Sequence, residues 1–243
     1  MSMMKNALKQ LWTETFGDDG WIDSYFGTAW APDRTEFLER DGEMAAALTW
    51  MDASCQGRKL AYVYAVATRP AFQGRGLCRE LMNKTHDCLA SLGYAGAVLV
   101  PAGEGLRRMY AGMGYVDFGG IREITVKAAA PVPVRKISPE EYAHRRRELL
   151  PDGGIIQENG AIHYLTESAS LYAGDGFLLA ASQEGSSLHG VELLGNPECA
   201  GGILASLGYE TGTFRIPGEE PFAMFCPFTP DSWRPGYFGL AFE

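Results

Sequence analysis

The residues best suited to bind an anion lie where a strand-like run passes into a helix. The run Leu60–Thr68 is followed by the glycine-rich stretch Gln73-Gly74-Arg75-Gly76-Leu77-Cys78 and then by apolar residues at helical spacing. Backbone N–H groups at a helix start lack acceptors within the helix, and the positive end of the helix dipole adds to their attraction for anions. Because glycine has no Cβ, the main chain can approach a ligand closely. The stretch predicts a diphosphate site; the alternative is an ordinary strand-to-helix turn.

Other phosphate-binding and metal-binding motifs fit less well. The stretch has no Gly-Lys-Ser/Thr sequence, as a P-loop would, and no third glycine at the spacing of a dinucleotide fold. The five cysteines are scattered without a Cys-x-x-Cys pair, and the four histidines show no metal-ligand spacing. The sequence therefore predicts neither a disulfide framework nor a metal site.

A tyrosine further along the chain has the chemistry of a proton donor. Tyr110 belongs to a stripe with Leu106, Met109 and Met113 at helical spacing. A phenol can act as a general acid, but tyrosine is also common at the edge of a core. Spacing alone favours a packing role for Tyr110.

The elements that would position these residues alternate between helices and strands. Up to residue 127, apolar periodicity and turn residues predict the order ααβββαβαββ. The last two strands are predicted as a hairpin around Gly119-Gly120, and a similar turn is predicted at Asp41-Gly42. Within Leu60–Thr68, alternation predicts Tyr62, Tyr64, Val66 and Thr68 on one face and Ala61, Val63, Ala65 and Ala67 on the other. The order predicts an α/β fold with a mixed sheet and helices on both faces.

A proline-containing connector divides the chain. Residues 128–134 include Pro131 and Pro133, and Ser138-Pro139-Glu140-Glu141 then has the residues of a helix N-terminus. We therefore predict a first domain at 1–127, a linker at 128–136 and a second domain at 137–243. The hexapeptide Leu89–Tyr94 recurs letter for letter as Leu204–Tyr209. This indicates a degenerate duplication in which the long helix of the first half is shortened by about three turns in the second.

The negative charge is concentrated in the second half. The formal net charge is −9; residues 1–127 hold 14 Lys and Arg against 15 Asp and Glu, whereas residues 128–243 hold 7 against 15. This acidity disfavours a nucleic-acid partner and mildly favours a cationic small molecule, although it could equally serve solubility. No apolar stretch is long enough to span a membrane, and the N-terminal residues are amphipathic rather than a signal core. The expected location is the cytoplasm, with no membrane partner.

Residues 5–127 resemble the GNAT superfamily of N-acetyltransferases. Gln73, Gly76 and Cys78 match the family signature Gln/Arg-x-x-Gly-x-Gly/Ala at the start of a long helix, although Cys78 replaces the usual glycine or alanine. Val66-Ala67-Thr68 matches the Val-x-Val/Thr end of the preceding strand, and Tyr110–Tyr115 resembles the family's Tyr-x-x-x-Gly-Phe/Tyr segment. The predicted element order is also that of the GNAT fold. The second half would then be a degenerate GNAT-like domain, giving a tandem arrangement.

The resemblance implies acetyl-CoA as co-substrate and transfer of its acetyl group to an amine. The acidity of the second half favours a small cationic amine. The resemblance also implies that the thioester arm lies between two splayed strands, that pantetheine pairs with the backbone near Val66, Ala67 and Thr68, and that Tyr110 protonates the leaving thiolate. An asparagine common in the family is replaced by Gly103, so one polar contact to the co-substrate is absent. The diphosphate would sit on the amides of Gln73, Gly74, Arg75, Gly76, Leu77 and Cys78.

The general base and the role of the second half stay open. The alternatives for the base are Glu104, Glu43, Asp52, water, and the terminal carboxylate of Glu243, which follows the strand-like run 236–242. Residues 137–243 lack the signature loop, so we expect no co-substrate there. This half either walls the acceptor cleft or serves core burial or a homodimer interface. Two other functions stay open: a non-catalytic acyl-CoA-binding or regulatory module, and acylation of a protein lysine or N-terminus.

Overall fold

The computed structural model describes residues 2–17 and 20–242. Its helices are α1 (Ser2–Phe16), α2 (Trp21–Thr28), α3 (Leu77–Ser91), α4 (Glu104–Ala111), α5 (Pro139–Leu149), α6 (Gly160–Leu165) and α7 (Ala200–Leu207). Its strands are β1 (Thr35–Arg40), β2 (Glu43–Cys55), β3 (Arg58–Thr68), β4 (Gly96–Leu99), β5 (Val116–Lys127), β6 (Arg135–Lys136), β7 (Ile156–Gln157), β8 (Ser170–Gly174), β9 (Phe177–Glu184), β10 (Ser187–Gly195), β11 (Thr211–Pro217) and β12 (Glu220–Pro227).

The strands form one mixed sheet with helices on both faces. Its order is β1-β2-β3-β4-β12-β5-β11-β10-β9-β8-β6, and β7 pairs with β2 off this path. The pairs β3–β4 and β10–β11 are parallel. One buried cluster contains residues of α1, α2, α5 and α6, and two further clusters contain residues of α3 and α4 and of α7. The predicted α/β class with a mixed sheet is confirmed.

The second half repeats the arrangement of the first. An antiparallel strand pair, a helix and a parallel strand occur as β2-β3-α3-β4 and again as β9-β10-α7-β11. The repeated hexapeptides end α3 and α7, where Gly93 has φ 78° and Gly208 has φ 81°. In each copy the tyrosine amide donates to the carbonyl oxygen of the first leucine, at 3.1 and 2.9 Å. The helix is shortened less than predicted, because α3 has 15 residues and α7 has 8, a difference of about two turns.

Two strands cross between the halves. β5, from the first half, pairs with β11 of the second, and β12, from the second half, lies between β4 and β5. The hairpin predicted around Gly119-Gly120 is therefore wrong, since Val116–Lys127 is one continuous strand. These glycines serve close packing: a Cβ on Gly120 would lie 2.1 Å from the carbonyl oxygen of Gly218, and one on Gly119 would lie 3.0 Å from the amide nitrogen of Phe238.

A bulge in β3 changes which side chains share a face. Ala65 has φ 50°, and the register of β3 with β2 shifts at this point. The predicted alternation is therefore wrong beyond Tyr64. Ala65 and Ala67 pack in the same cluster as Tyr64, whereas Val66 packs in the cluster of Val63. One extra residue in a strand moves every following side chain to the opposite face.

The last residues run through the core that joins the halves. Leu8 and Trp12 of α1 belong to the same buried cluster as Leu171 of β8 and Phe238. Residues 236–242 do not form the expected strand; they are irregular, with an isolated bridge between Gly154 and Tyr237. Over the described ranges, the structure contains no helix with the length and apolar character needed to cross a membrane.

Candidate active site

β3 and β4 separate before β3 reaches its end. Their parallel pairing stops at Tyr62 and Val98, while β3 continues to Thr68. A cavity of about 440 Å³, here called the strand cleft, opens at this separation. Beyond Tyr62, the edge of β3 that faces β4 has no strand partner among the described residues. The main-chain groups on this edge that make no other hydrogen bond are therefore available to an extended ligand in the cleft. The side chains lining the cleft include Tyr62, Tyr64, Ala65, Val66, Tyr110 and Phe242.

The bulge in β3 lies in the wall of the strand cleft. Ala65 is held there in the left-handed region, and the Trp12 indole Nε1 donates to its carbonyl oxygen at 2.9 Å. This conformation costs about 1–2 kcal/mol in a residue other than glycine, so it persists only where the surroundings enforce it. Trp12, a buried residue of α1, thus helps to fix the conformation of the β3 main chain where β3 and β4 separate.

The glycine-rich loop presents a row of main-chain amides to open space. From Gly74 to Arg79, no main-chain N–H has an acceptor among the described residues, and the first such bond is from Glu80 to the carbonyl oxygen of Gly76 at 3.1 Å. Gly74 and Gly76 have φ 74° and 79°, which turns successive amides toward one side. A Cβ added to either glycine would meet no atom within 4 Å. The donor set and the space fit a diphosphate at the N-terminus of α3.

Side chains of the loop hold its shape. Gln73 Nε2 donates to the carbonyl oxygen of Thr68 at 3.1 Å, so the loop is tied to the end of β3. Arg79 Nη1 donates to the carbonyl oxygen of Gly112 at 2.8 Å, beside the C-terminus of α4. Arg75 is exposed on the loop, and its Nη2 donates to the carbonyl oxygen of Ala71 at 3.0 Å.

The remaining signature residues lie between the loop and the strand cleft. Leu77 is buried at the first turn of α3, and Cys78 is half-buried near Tyr110. Ala67 and Thr68 pair with β2, and Val66 lines the cleft. The structure therefore brings Val66 and Tyr110 into the cleft and places residues 73–78 at the adjoining helix start.

Tyr110 lies on α4 with 6% of its surface exposed and lines the strand cleft. Its ring packs edge-on against Tyr115, with centroids 5.7 Å apart. Its hydroxyl has no hydrogen-bond partner among the described residues. Burial, with a smaller effect of Cys78, raises the pKa of the phenol well above its ordinary range. The group is therefore protonated at neutral pH and has a proton to donate. Gly103, which caps α4, has φ 154°, a conformation that explains glycine in place of asparagine.

The structure does not bring the considered carboxylates to Tyr110. Glu104, Glu43 and Asp52 pair with arginines at 3.6, 3.4 and 2.7 Å, and none of them lines the strand cleft. Glu243 lies outside the described residues. Within residues 2–17 and 20–242, no group of three or more His, Cys, Asp or Glu side chains could hold a metal ion.

A second cavity, of about 450 Å³, adjoins the strand cleft and is here called the polar cavity. Trp21 and Phe242 line both spaces. The second half contributes Glu167, Glu184 and His189 to the polar cavity. Arg215 also lines the polar cavity, so its lining carries two carboxylates and one guanidinium. The two cavities together offer an apolar channel for one reactant and a polar entrance for another.

Sequence reasoning missed several residues of these cavities. The strand pattern of Leu60–Thr68 placed Tyr64 on one face but did not mark it as a site residue. Its hydroxyl lies 3.0 Å from that of Tyr164, which lines the polar cavity. Trp21, Tyr164 and Phe242 come from segments far apart in the sequence, and no local motif marks them.

A histidine beside the Tyr110–Tyr115 pair gives the fold a pH dependence. His86 Nε2 lies 2.9 Å from the Tyr115 hydroxyl, and burial lowers the pKa of His86 to about 4 from its ordinary value of 6.5. Because the folded-state value lies below the unfolded one, this stability is complete above about pH 6.5 and is lost as pH falls through 4. We expect the loss to be about 1–3 kcal/mol.

Urea unfolding at pH 7 and pH 4.5 measures this loss. His86→Gln should remove that part of the pH dependence, whereas His144→Gln, at an exposed site, should retain it. Equal pH dependence in the wild type and His86→Gln would contradict the assignment.

The first half of the chain matches a known family model, and the fold has solved relatives. The model, described as "Acetyltransferase (GNAT) domain", matches residues 4–116. A GCN5-related N-acetyltransferase from Kribbella flavida is similar at 18% identity and TM-score 0.70, covering 93% of this chain and 69% of that one. One from Anabaena variabilis is similar at 14% identity and TM-score 0.67, covering 92% and 69%. Eis1 from Mycobacterium abscessus is similar at 13% identity and TM-score 0.64, covering 91% and 65%. No curated protein sequence matches the chain.

Proposed function

We propose that the protein is an acetyl-CoA-dependent N-acetyltransferase acting on a small cationic amine, in keeping with the match of residues 4–116 to the GNAT acetyltransferase domain model. The observation that carries the proposal is the row of amides from Gly74 to Arg79, which has no acceptor among the described residues and faces open space. Amine as the acceptor class follows the printed descriptions of the Kribbella flavida and Anabaena variabilis relatives.

The donor would be held by main-chain groups along one path. The amides of the glycine-rich loop would bind the diphosphate, with Arg75 adding charge. The unpaired edge of β3, from beyond Tyr62 to Thr68, would pair with the amides of the pantetheine arm as an added strand. Together they direct the thioester into the strand cleft, beside Tyr110.

In acetyl transfer the amine nitrogen attacks the thioester carbonyl carbon, the carbon–sulfur bond breaks, and the sulfur takes up a proton. We assign delivery of that proton to the Tyr110 hydroxyl, which burial keeps protonated. The attacking form is the neutral amine, so an ammonium acceptor first gives one proton to water, since no carboxylate among the described residues lines the strand cleft. The proton that the nitrogen loses after attack returns through water to the Tyr110 oxygen, which restores the phenol. The apolar lining limits access of bulk water to the thioester.

The acceptor would enter through the polar cavity and meet the thioester between Trp21 and Phe242. Glu167 and Glu184 stand at this entrance and are exposed. Their charges would attract an ammonium group, in keeping with the acidity of the second half.

Neutralising both entrance carboxylates tests this assignment. Glu167→Gln with Glu184→Gln should lower kcat/KM for a cationic amine by about five- to tenfold, with acetyl-CoA affinity unchanged. The matched control, Glu148→Gln with Glu210→Gln, changes the net charge equally at exposed positions outside the polar cavity. An equal decrease in both double variants would contradict the entrance.

Release of free thiol from acetyl-CoA across a panel of amines tests the function itself. The proposal predicts turnover with at least one cationic amine. Binding of acetyl-CoA without turnover of any amine would favour the non-catalytic acyl-CoA-binding module instead. Turnover restricted to protein lysines or N-termini would replace the small amine by a macromolecular acceptor.

We assign no donor site to the second half. Its corresponding helix, α7, carries Gly201 and Gly202, where an added Cβ would lie 2.9 Å from the carbonyl oxygen of Lys127 and 2.7 Å from the side chain of Val132. The end of β5 and the connector thus fill the space beside the start of α7, whereas the corresponding space in front of α3 is open. The division into residues 1–127, a linker at 128–136 and residues 137–243 remains a prediction.

A further inference from the structure

The final residues of the described chain are buried without belonging to a helix or strand. Tyr237, Phe238 and Leu240 are at most 2% exposed, yet the segment has only an isolated bridge to Gly154. Its end, Phe242, lines both the strand cleft and the polar cavity. Residues 236–242 are here called the tail. Something other than regular secondary structure must hold it in place.

A fully buried ion pair in the second half reaches the tail. Glu192 of β10 has no exposed surface and accepts from Arg146 Nε and Nη2 at 2.6 and 2.9 Å. Two tyrosines complete the site: the Tyr142 hydroxyl donates to Oε2 at 3.2 Å, and the Tyr237 hydroxyl donates to Oε1 at 3.1 Å. Only the second of these tyrosines belongs to the tail.

The same arginine also fixes the backbone that carries the tail. Arg146 Nη1 donates to the carbonyl oxygen of Ile155 at 2.9 Å. The Ile155 amide in turn donates to the carbonyl oxygen of Tyr237 at 2.9 Å, and Gln157 Nε2 donates to that of Leu240 at 3.0 Å. The tail is therefore held both through its main chain and through one phenol.

The fit around that phenol admits no side chain. A Cβ on Gly239 would lie 2.0 Å from the Tyr237 hydroxyl oxygen and 3.0 Å from Glu192 Oε1. The tail thus folds closely over the phenol–carboxylate contact. From there it continues to Phe242, whose amide donates to the Tyr62 hydroxyl of the strand cleft at 3.2 Å and whose ring centroid lies 5.1 Å from that of Tyr164.

A buried ion pair is weak evidence of net stabilisation, because the cost of desolvating both charges offsets much of their attraction. We propose that Glu192, Arg146 and Tyr237 are positioning residues that hold the tail so that Phe242 forms the wall between the strand cleft and the polar cavity. This gives the second half a part in catalysis without a donor site of its own, and in that respect it rests on the proposed function. Loss of the interactions that hold the tail would let Phe242 move, which weakens productive binding of the acceptor and leaves donor binding intact.

Two matched variants separate this role from a general contribution to folding. Tyr237→Phe and Tyr142→Phe each remove one hydroxyl donor from the same buried carboxylate, but only the first lies on the tail. We expect Tyr237→Phe to speed amide hydrogen exchange in the C-terminal peptide 237–242 by about tenfold or more, the effect of losing one hydrogen bond to a charged acceptor. Tyr142→Phe should leave exchange in that peptide unchanged.

The kinetic readout follows the same division. Tyr237→Phe should raise the acceptor KM several-fold while the calorimetric affinity for coenzyme A stays the same, and Gly239→Ala should shift both readouts in the same direction. Equal exchange in the two phenylalanine variants would overturn the inference, as would faster tail exchange with an unchanged acceptor KM. A wild type that turns over no amine would instead overturn the proposed function, leaving the exchange comparison to decide whether the network holds the tail.

Discussion

Gly76→Glu is expected to weaken the binding of coenzyme A by about 100-fold. The added carboxylate would stand in the open space that the loop amides face, since no atom lies within 4 Å of a Cβ at this position. One negative charge about 5 Å from another costs roughly 3 kcal/mol at an effective dielectric constant of about 20, which corresponds to that loss of affinity. Fluorescence or calorimetric titration of the folded variant gives the ratio of dissociation constants.

Gly93→Glu is the matched control for this prediction. Gly93 follows the same helix at its other end, with φ 78° against 79° for Gly76, and its Cβ position is equally open. Both variants therefore carry similar backbone strain, of about 1–2 kcal/mol, and the same added charge. Coenzyme A affinity within about twofold of the wild type is expected for Gly93→Glu. Equal weakening in both variants would show that the loop does not hold the diphosphate.

Tyr110→Phe is expected to lower kcat by about 100- to 1,000-fold, the range typical of a removed general acid. The ring would keep its contact with Tyr115 and its place in the strand cleft, so coenzyme A affinity should stay unchanged. Steady-state kinetics with the best acceptor, together with calorimetry, separates the two quantities.

Tyr115→Phe supplies the comparison for that variant. Tyr115 is buried, but its hydroxyl is bonded to His86 and it does not line the strand cleft. Removal of this hydroxyl should cost about 1 kcal/mol of stability and leave kcat within about twofold. A Tyr110→Phe enzyme as active as Tyr115→Phe would remove Tyr110 from the chemistry and leave it a packing residue.

Local physical signals account for the parts of the fold that the sequence predicts well. The Asp41-Gly42 hairpin turn is confirmed by φ 54° and 81° at these residues, because few residues other than glycine, asparagine and aspartate tolerate that region. The repeated hexapeptide occupies equivalent helix ends in both halves. The start of α3 at Leu77 is predictable for the same reason, because Gly76 before it has a positive φ of 79°, which glycine tolerates. Each of these features depends on a few consecutive residues.

Features set by distant contacts could not be predicted. Gly119-Gly120 has the composition of a turn, yet it lies inside β5. Glycine is required at these positions because Gly218 and Phe238 approach too closely for a side chain. The bulge at Ala65 likewise depends on Trp12, 53 residues away in the chain. Alternation therefore assigned Val66 to the wrong face.

The candidate site likewise contains residues that local sequence patterns predict and residues that only distant contacts bring together. The glycine loop and Tyr110 carry local patterns, which the family resemblance made interpretable. The polar cavity and the tail carry none, because β5 and β12 cross between the halves and bring together segments from both ends of the chain. Only the assembled sheet shows that the second half borders the strand cleft.

Calorimetric titration of the intact protein with acetyl-CoA tests the central claim most directly. The account predicts saturable binding in about the micromolar range with one equivalent per chain, because the amides at the start of α3 are open whereas the connector covers the glycines of α7. Absence of binding, or two equivalents per chain, would contradict it.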